Sequence, residues 1–143
     1  MNYLIREMTL EDYEAVIDLW SDCEGITLDD TDSYDSIKKY LERNPKLCHV
    51  ALHEGNIVGA VKCGQDGRRG YLHHLGVKKQ FRNQGIGKSL VKSCLVNLTK
   101  QGIEKCNTFA LKNNELGQTF WKNNGWNTLE EYYYTLQKNT END

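Results

Sequence analysis

The sequence predicts one α/β domain in which helices flank a central mixed β-sheet. The chain has 143 residues, the usual size of one compact domain and too short for two independent cores, so the predicted domain covers 1–143. Apolar residues recur at helical spacing in some segments and alternate in others, in the order β α α β β β α β α β. Three consecutive strands, followed by strands that alternate with helices, indicate a mixed sheet.

The first predicted elements are a strand over 3–7, a helix over 9–23 and a helix over 31–43. In both helices apolar residues repeat at spacings of three and four, which is typical of a helix packed against a sheet. Thr9 and Asp12 have the spacing of a capping box at the start of the first helix.

A β-hairpin is expected in the middle of the chain. Its strands cover 47–53 and 57–64, and the turn between them contains Gly55 and Asn56, which tolerate positive φ. The remaining predicted elements are a strand over 71–77, a helix over 85–101 that ends at Gly102, a strand over 106–111, a helix over 115–123 that ends at Gly125, a strand over 131–137 and a loose tail over 138–143.

The composition argues against several classes of protein. The net charge of −2 is unlike that of nucleic-acid-binding domains, which carry a positive excess. No apolar run approaches the roughly 18 residues needed to span a bilayer, and the first twenty residues are too acidic for a signal peptide. The five cysteines include no Cys-x-x-Cys pair. We therefore expect a cytoplasmic protein with reduced thiols, no metal site, and no nucleic-acid or membrane partner.

The charges are unevenly distributed along the chain. Eleven acids and no basic residue lie between Arg6 and Lys38, whereas eight bases and one acid lie from Lys62 to Lys92. Such a distribution indicates either two sites with opposite electrostatic preferences or two solvated faces.

The segment over 75–90 carries the strongest chemical signal. It places a predicted strand, a loop with Gly85 and Gly87, and the start of a helix in succession. Backbone N–H groups at a helix start have no intrahelical acceptor, and glycines let an anion approach them closely, so the pattern predicts a phosphate site. Lys78, Lys79 and Lys88 would add positive charge around it.

Two common phosphate-binding motifs do not fit this segment. A dinucleotide-binding Gly-x-Gly-x-x-Gly motif would need glycine where Leu90 stands. A Walker A loop would need glycine where Arg82 stands. The fit to a nucleotide-binding P-loop fails by one residue, so that class stays as an alternative.

The pattern Arg82-Asn83-Gln84-Gly85-Ile86-Gly87, preceded by Leu75-Gly76-Val77, resembles the acetyl-CoA-binding motif of the GNAT superfamily of acyl-CoA N-acyltransferases. The later stretch from Asn114 to Gly125-Trp126 is similar to the helix that follows in the family. The predicted element order is also similar to that of the family over nearly the whole chain. The resemblance implies the family's fold and acetyl-CoA as co-substrate, without a metal.

The resemblance also implies a set of cofactor contacts. The N–H groups from Gln84 to Lys88 would bind the diphosphate, the pantetheine arm would pair with 75–77 as an added strand, and an N–H near Val77 would polarise the acyl carbonyl. The residues expected at the cofactor are Leu75, Gly76, Val77, Arg82, Asn83, Gln84, Gly85, Ile86, Gly87, Lys88, Asn114 and Trp121.

The catalytic candidates are His73 and Tyr71, which strict alternation places on one face of their strand together with Leu75 and Val77. Some family members, such as the serotonin acetyltransferases, have a catalytic histidine two residues before the position of Leu75. A histidine with an ordinary pKa of roughly 6.5 suits proton removal near neutral pH. His74 is the second choice as base. The alternatives for His73 are a partly buried structural imidazole, or a substrate contact with a water molecule as the base.

One position departs from the family pattern. Trp121 stands where a tyrosine that protonates the departing thiolate is common, and an indole N–H is not an acid. The thiolate would then leave unprotonated, or a tyrosine among Tyr132, Tyr133 and Tyr134 would serve instead.

The resemblance implies direct attack by a primary amine of a small molecule, a peptide or a protein, in a ternary complex. The connection between the first two helices borders the acceptor site in the family, and here it holds the acids Asp22, Glu24, Asp29, Asp30 and Asp32. These acids indicate either a cationic acceptor or an exposed acidic loop. The chain would be a monomer or a homodimer. A non-catalytic module that binds acyl-CoA is the other alternative, because the usual tyrosine is absent.

Overall fold

The computed structural model describes residues 2–129 and 135–140. Their helices and strands are β1 (Leu4–Glu7), α1 (Tyr13–Ser21), α2 (Tyr34–Arg43), β2 (His49–His53), β3 (Asn56–Gln65), β4 (Gly70–Val77), α3 (Ile86–Lys100), β5 (Cys106–Thr108) and α4 (Glu115–Asn123). This order confirms the predicted order through the last helix. Most of the predicted strand over 131–137 lies outside the described residues, and its described part, 135–137, is not in a strand.

The five strands of the described residues form one sheet in the order β1-β2-β3-β4-β5. The first four are antiparallel, and β5 is parallel to β4, so the predicted mixed sheet is confirmed. The pairing of β4 with β5 covers only Gly70–Leu72 and Cys106–Thr108. Beyond Leu72 the two strands separate, and this separation positions the site described below.

Helices cover both faces of the sheet. On one face α3 buries Leu90, Cys94 and Leu98 against Val61 and Leu72. On the other face α1 and α2 bury a second cluster that includes Val16, Trp20, Ile37, Val50 and Ala60. Each fully buried valine, leucine or isoleucine contributes about 1.5–3 kcal/mol by leaving water, so the two clusters hold the helices against the sheet.

Glycines end two helices as predicted. Gly102 and Gly125 follow α3 and α4 with φ of 81° and 88°, a left-handed conformation that glycine adopts without a steric cost. In the hairpin turn, however, positive φ occurs at Glu54 and Gly55 rather than at Gly55 and Asn56. The turn therefore lies one residue earlier than the sequence predicts.

The first helix begins later than predicted. Residues 10–12 form a single 3-10 turn, and α1 starts at Tyr13. The predicted pairing at this helix start is present, because the Thr9 N–H donates to a carboxylate oxygen of Asp12 at 2.8 Å. The same carboxylate binds the guanidinium of Arg6 at 2.8 Å and 2.9 Å, which joins β1 to the turn.

A β-bulge interrupts β4. Lys62 of β3 is opposite His73, but Ala60 is opposite Gly76, so β4 has one extra residue in this interval. His74 lies inside it, with a φ of 53° that is uncommon outside glycine.

The bulge changes which side chains share a face of the sheet. Leu72 belongs to the cluster under α3, and Leu75 and Val77 pack against that same cluster, although 72 and 75 are an odd number of residues apart. Gly76 faces α1, because a Cβ there would lie 3.1 Å from the Trp20 ring of that helix. The prediction that Tyr71, His73, Leu75 and Val77 share one face is therefore wrong, since strict alternation does not survive an inserted residue.

Within 2–129 and 135–140, the helices are all too short or too polar to cross a lipid bilayer.

Candidate active site

A cavity of about 620 Å³ opens where β4 and β5 separate. It is lined by 73–77 of β4, by 108–111 after β5, by the start of α3 and by α4. Because β5 stops pairing at Leu72, the backbone groups of 73–77 on this side have no strand partner among the residues that the structure describes. An extended ligand can therefore form hydrogen bonds with this edge as an added strand does.

The N-terminus of α3 points into this cavity. Gly85 precedes the helix with a φ of 86°, and within 2–129 and 135–140 no side chain caps the helix start. The first hydrogen bond of the helix runs from the Ser89 N–H to the Gly85 carbonyl at 3.0 Å. The N–H groups of Ile86, Gly87 and Lys88 come before that bond and have no intrahelical acceptor. This arrangement favours an anionic group such as a phosphate.

Arg82 lies in the loop before α3, and its guanidinium is engaged by protein groups. Its Nε donates to the Val77 carbonyl at 2.9 Å, and its NH1 donates to the Glu24 carboxylate at 3.0 Å. This pair raises the pKa of Arg82 and lowers the pKa of Glu24. Arg82 thus fastens the end of β4 to the connection between α1 and α2.

Asn114 closes the cavity from the side of α4. Its side-chain oxygen accepts from the Gly117 N–H at 3.1 Å and caps the helix. Its amide packs against Gly25, so closely that a Cβ on Gly25 would collide with it. Trp121, in the last turn of α4, lines the cavity, and its ring centroid lies 4.8 Å from that of Trp126.

The structure brings most of the predicted site residues together. The cavity lining contains His73, Leu75, Gly76, Val77, Arg82, Asn83, Gly85, Ile86, Gly87, Lys88, Asn114 and Trp121. Gln84 and Tyr71 are not part of this lining. The Tyr71 hydroxyl instead lies 3.5 Å from Asp66 on the preceding turn, which leaves its predicted catalytic role without a contact to the cavity.

A second cavity of about 590 Å³ adjoins the first. It lies between α2, the connection that follows α1, and the middle of the sheet. Both cavities are lined by Thr27, His73 and His74, so these residues mark the place where the two meet. Two ligands bound in the two cavities would therefore approach each other beside the histidines.

Three charged or titratable groups meet at the floor of the second cavity. The Asp32 carboxylate, whose side chain is 3% exposed, accepts from the Lys62 Nζ at 3.1 Å. The Nε2 of His74 lies 3.1 Å from both oxygens of the same carboxylate. Lys62 also lies over the Tyr40 ring, with its Nζ 4.8 Å from the centroid. Asp32 is therefore shared by two partners rather than free to bind a ligand alone.

His73 and His74 have different surroundings. The His73 ring stacks on Phe109 at 5.9 Å and on Tyr71 at 6.4 Å. Burial and the nearby charges of Lys62 and His74 lower the pKa of His73 to about 4. His73 is therefore neutral near neutral pH, but it is a weak base. The His74 ring contacts the edge of Trp20, with the centroids 5.1 Å apart.

Three of the five acids between α1 and α2 already bind other groups of the protein. Asp32 is buried and shared as described. The Asp29 carboxylate accepts from the Thr31 N–H at 2.8 Å and from its hydroxyl, which caps a short turn before α2 and lowers the pKa of Asp29. Glu24 pairs with Arg82 at 3.0 Å.

The sequence prediction did not include Lys62. The signal was present, because a lysine inside the apolar run of β3 needs a partner when that strand is buried. Asp32 supplies this partner, whereas its position in the sequence indicates only one acid among several between the first two helices. Among the described residues, no three His, Cys, Asp or Glu side chains are grouped as metal ligands would be.

Comparison with known proteins agrees with this geometry. The model of the acetyltransferase (GNAT) family matches residues 13–126. An acetyltransferase of Pectobacterium atrosepticum is 35% identical over 111 residues, which are 78% of each chain.

Two solved structures have the same fold. The PaiA N-acetyltransferase of Thermoplasma acidophilum, in complex with coenzyme A, superposes with a TM-score of 0.76 at 21% identity, over 87% of this chain and 89% of that one. AAC(6′)-Iy, bound to a bisubstrate analogue of coenzyme A and acetylneamine, superposes with a TM-score of 0.78 at 18% identity, over 96% and 99% of the two chains.

The family match covers most of the chain, and it favours an enzyme over a non-catalytic module or a P-loop protein. The chain belongs to the acetyltransferase (GNAT) family and is an N-acetyltransferase that uses acetyl-CoA.

Proposed function

We propose that a primary amine enters through the second cavity and takes the acetyl group directly from acetyl-CoA bound in the first. The observation that carries this proposal is the meeting of the two cavities at His73 and His74. Both reactants would then be held in one complex, which removes most of the entropic cost of bringing them together during the reaction.

The residues of the first cavity fit acetyl-CoA. The free N–H groups of Ile86, Gly87 and Lys88 suit its diphosphate, and the Lys88 side chain adds charge at the same place. The unpaired edge of 75–77 suits the amides of the pantetheine arm. Acetyl-CoA supplies the acetyl group as a thioester that is open to attack by an amine. We keep Arg82 and Asn114 as predicted contacts, although both side chains already bind protein groups.

We propose His74 as the general base. Asp32 is an acceptor when ionised, so the Nε2 of His74 donates to it and Nδ1 is left with a lone pair for the proton of the amine. The carboxylate would also stabilise the imidazolium that forms. A pKa of about 4 makes His73 the less effective base near neutral pH.

His73 stays the second candidate as base, because it lines both cavities. Tyr71 is the weakest candidate, since it lines neither. On the leaving side, a thiol with a pKa of about 8.5, by analogy with cysteine, can depart as a thiolate without an acid. Tyr132, Tyr133 and Tyr134, the alternative acids, lie outside the described residues.

The acceptor class is an amine. AAC(6′)-Iy binds an analogue built on acetylneamine, and its fold similarity supports an amine in the second cavity. The positive charge of the acceptor stays a prediction from the sequence, because Asp29 lines the cavity but its carboxylate caps its own turn. A cytoplasmic location and a monomeric or homodimeric state remain predictions from the sequence.

A panel of amines tests the proposed function. Wild type, His73→Ala and His74→Ala are incubated with acetyl-CoA and small amines, amino sugars or peptides, and free thiol is measured. We expect amine-dependent thiol release that His74→Ala nearly abolishes and His73→Ala reduces less. Tight acetyl-CoA binding without thiol release for any amine would contradict the proposal.

A further inference from the structure

One face of α2 forms a wall of the second cavity. Ser36, Lys39, Tyr40 and Arg43 line the cavity and are spaced by three, one and three residues, so they share a side of the helix. Lys38, the neighbour of Lys39, is exposed and lies outside the lining. The spacing along α2 therefore places both Lys39 and Arg43 on the side of the helix that faces the cavity.

These two cations differ from the other charges of the cavity. Lys39 and Arg43 are exposed, and neither forms an ion pair with any residue in the described part of the chain. Lys62, in contrast, is buried and bound to Asp32. Among the described residues, the one other acid in the lining is Asp29, which caps its own turn. The cavity thus has two cations at its mouth that are available to a ligand, and its acids are engaged.

The histidine end of the cavity is where the amine would react. A ligand that fills the cavity would place one end beside His74 and the other against α2. A positive group at the α2 end would meet Lys39 and Arg43 and be repelled, whereas an anionic group would be attracted. A volume of about 590 Å³ suits a small molecule.

We infer that the acceptor is a small aminocarboxylate whose carboxylate is bound by Lys39 and Arg43 while its amine lies at His74. The inference rests on the proposed function, because it assigns the acceptor to the second cavity. The acceptor inferred here has an amine at one end and a negative charge at the other, whereas the sequence indicates an acceptor with positive charge alone. Arginine can bind a carboxylate through two parallel hydrogen bonds, which gives Arg43 the larger share of the recognition.

Matched amines test the charge of the far end. Each ω-amino acid and α-amino acid in a length series is compared with its neutral carboxamide, with the amine that lacks the carboxylate, and with a diamine. The readout is kcat/KM for acetyl transfer. We expect wild type to prefer the carboxylate over the carboxamide by about tenfold, the combined effect of two partly exposed ion pairs.

Variants of α2 locate the recognition. Lys39→Ala and Arg43→Ala are each expected to lower the ratio of kcat/KM for carboxylate over carboxamide by about two- to fivefold, mainly through KM. The matched control is Lys38→Ala, which removes the same charge from the same helix outside the cavity and should leave the ratio unchanged. The double charge reversal Lys39→Glu with Arg43→Glu should turn the preference toward diamines.

The outcomes separate the inference from the proposed function. Activity that is equal for carboxylates and carboxamides, or highest for diamines, would overturn the inference and leave the acetyltransferase mechanism intact. Preference for a phosphate-bearing amine over every carboxylate would overturn the choice of anion. No acetyl transfer to any amine of the panel, despite acetyl-CoA binding, would overturn the proposed function and the inference with it.

Discussion

The imidazole of His74 and the carboxylate of Asp32 face each other, with Nε2 at 3.1 Å from both oxygens. The two residues are 42 positions apart and meet because the bulge in β4 places His74 on the side of α1 and α2. Lys62 binds the same carboxylate at 3.1 Å from the neighbouring strand. Three elements thus hold one imidazole at the junction of the two cavities.

Replacement of His74 tests the assignment of the base. We expect His74→Ala to lower kcat by about 10²- to 10⁴-fold, because a positioned base contributes that much to proton transfer. The KM for acetyl-CoA should change little. The measurement is a steady-state assay of thiol release across a pH series.

His73→Ala is the matched control for that assay. It removes the neighbouring imidazole, which also lines both cavities. A larger loss of kcat in His73→Ala than in His74→Ala would show that the base has been assigned to the wrong histidine.

Replacement of Asp32 tests the buried ion cluster. Asp32→Asn leaves the Lys62 ammonium without a counter-charge in a site where its side chain is only 8% exposed. Loss of one partner of a buried pair costs about 3–5 kcal/mol in the free energy of unfolding. Urea unfolding measures this change.

Two further variants control for the Asp32 substitution. Asp30→Asn changes an exposed acid two residues away and should alter the free energy of unfolding by less than about 0.5 kcal/mol. The double variant Asp32→Asn with Lys62→Met should recover part of the lost stability, because the unpaired charge is gone. Equal effects of Asp32→Asn and Asp30→Asn would refute the role given to the cluster.

The lowered pKa of His73 predicts how stability depends on pH. The pKa is about 4 in the folded protein and 6.5 in the unfolded chain, so between these values the unfolded chain binds the proton more strongly. Stability from this group is therefore complete above pH 6.5 and is lost as the pH falls toward 4. The loss is up to about 3 kcal/mol, at about 1.4 kcal/mol per pKa unit.

His73→Gln isolates this contribution, because glutamine does not titrate. As the pH is lowered from 7 to 4, the free energy of unfolding should fall more for wild type than for His73→Gln. A difference that stays constant over this range would mean that the pKa of His73 is not lowered.

Two glycines at the start of α3 allow folding and binding to be separated. Gly85 has a φ of 86°, so Gly85→Ala should destabilise the fold by about 1–3 kcal/mol.

A Cβ on Gly87 would lie 3.4 Å from the Phe120 ring, an ordinary contact, so Gly87→Ala should fold normally. That Cβ would still stand between the helix start and a bound diphosphate. We expect acetyl-CoA affinity to fall about tenfold, the loss of one charge-assisted hydrogen bond.

Calorimetric titration with acetyl-CoA and thermal unfolding together check this pair of glycine variants. If Gly87→Ala bound acetyl-CoA as tightly as wild type does, the diphosphate would have to lie elsewhere.

Local sequence patterns predicted much of the fold. Gly102 and Gly125 marked the ends of α3 and α4, because a left-handed residue after a helix is a property of that residue alone. The glycine loop before α3 could also be predicted, since Gly85 and Gly87 stand at the start of a segment whose apolar residues repeat at helical spacing. These features depend on neighbouring residues and need no knowledge of tertiary contacts.

Features that depend on distant partners were not predicted. The bulge at His74 follows from how β3 and β4 align, and alternation of apolar residues gives no sign of such a shift. The ion pair of Arg82 with Glu24 likewise joins residues 58 positions apart. The sequence motif alone could not show that a carboxylate of the protein binds this guanidinium. The recruitment of Asp32 by Lys62 is a third case.

The most direct test of the central claim is a titration of ¹⁵N-labelled protein with acetyl-CoA, followed by the chemical shifts of the backbone amides. We predict that the largest changes occur at Ile86, Gly87 and Lys88 and along 75–77, which are the helix start and the strand edge next to the cavity. Changes confined to other parts of the chain, with these amides unmoved at saturation, would contradict it.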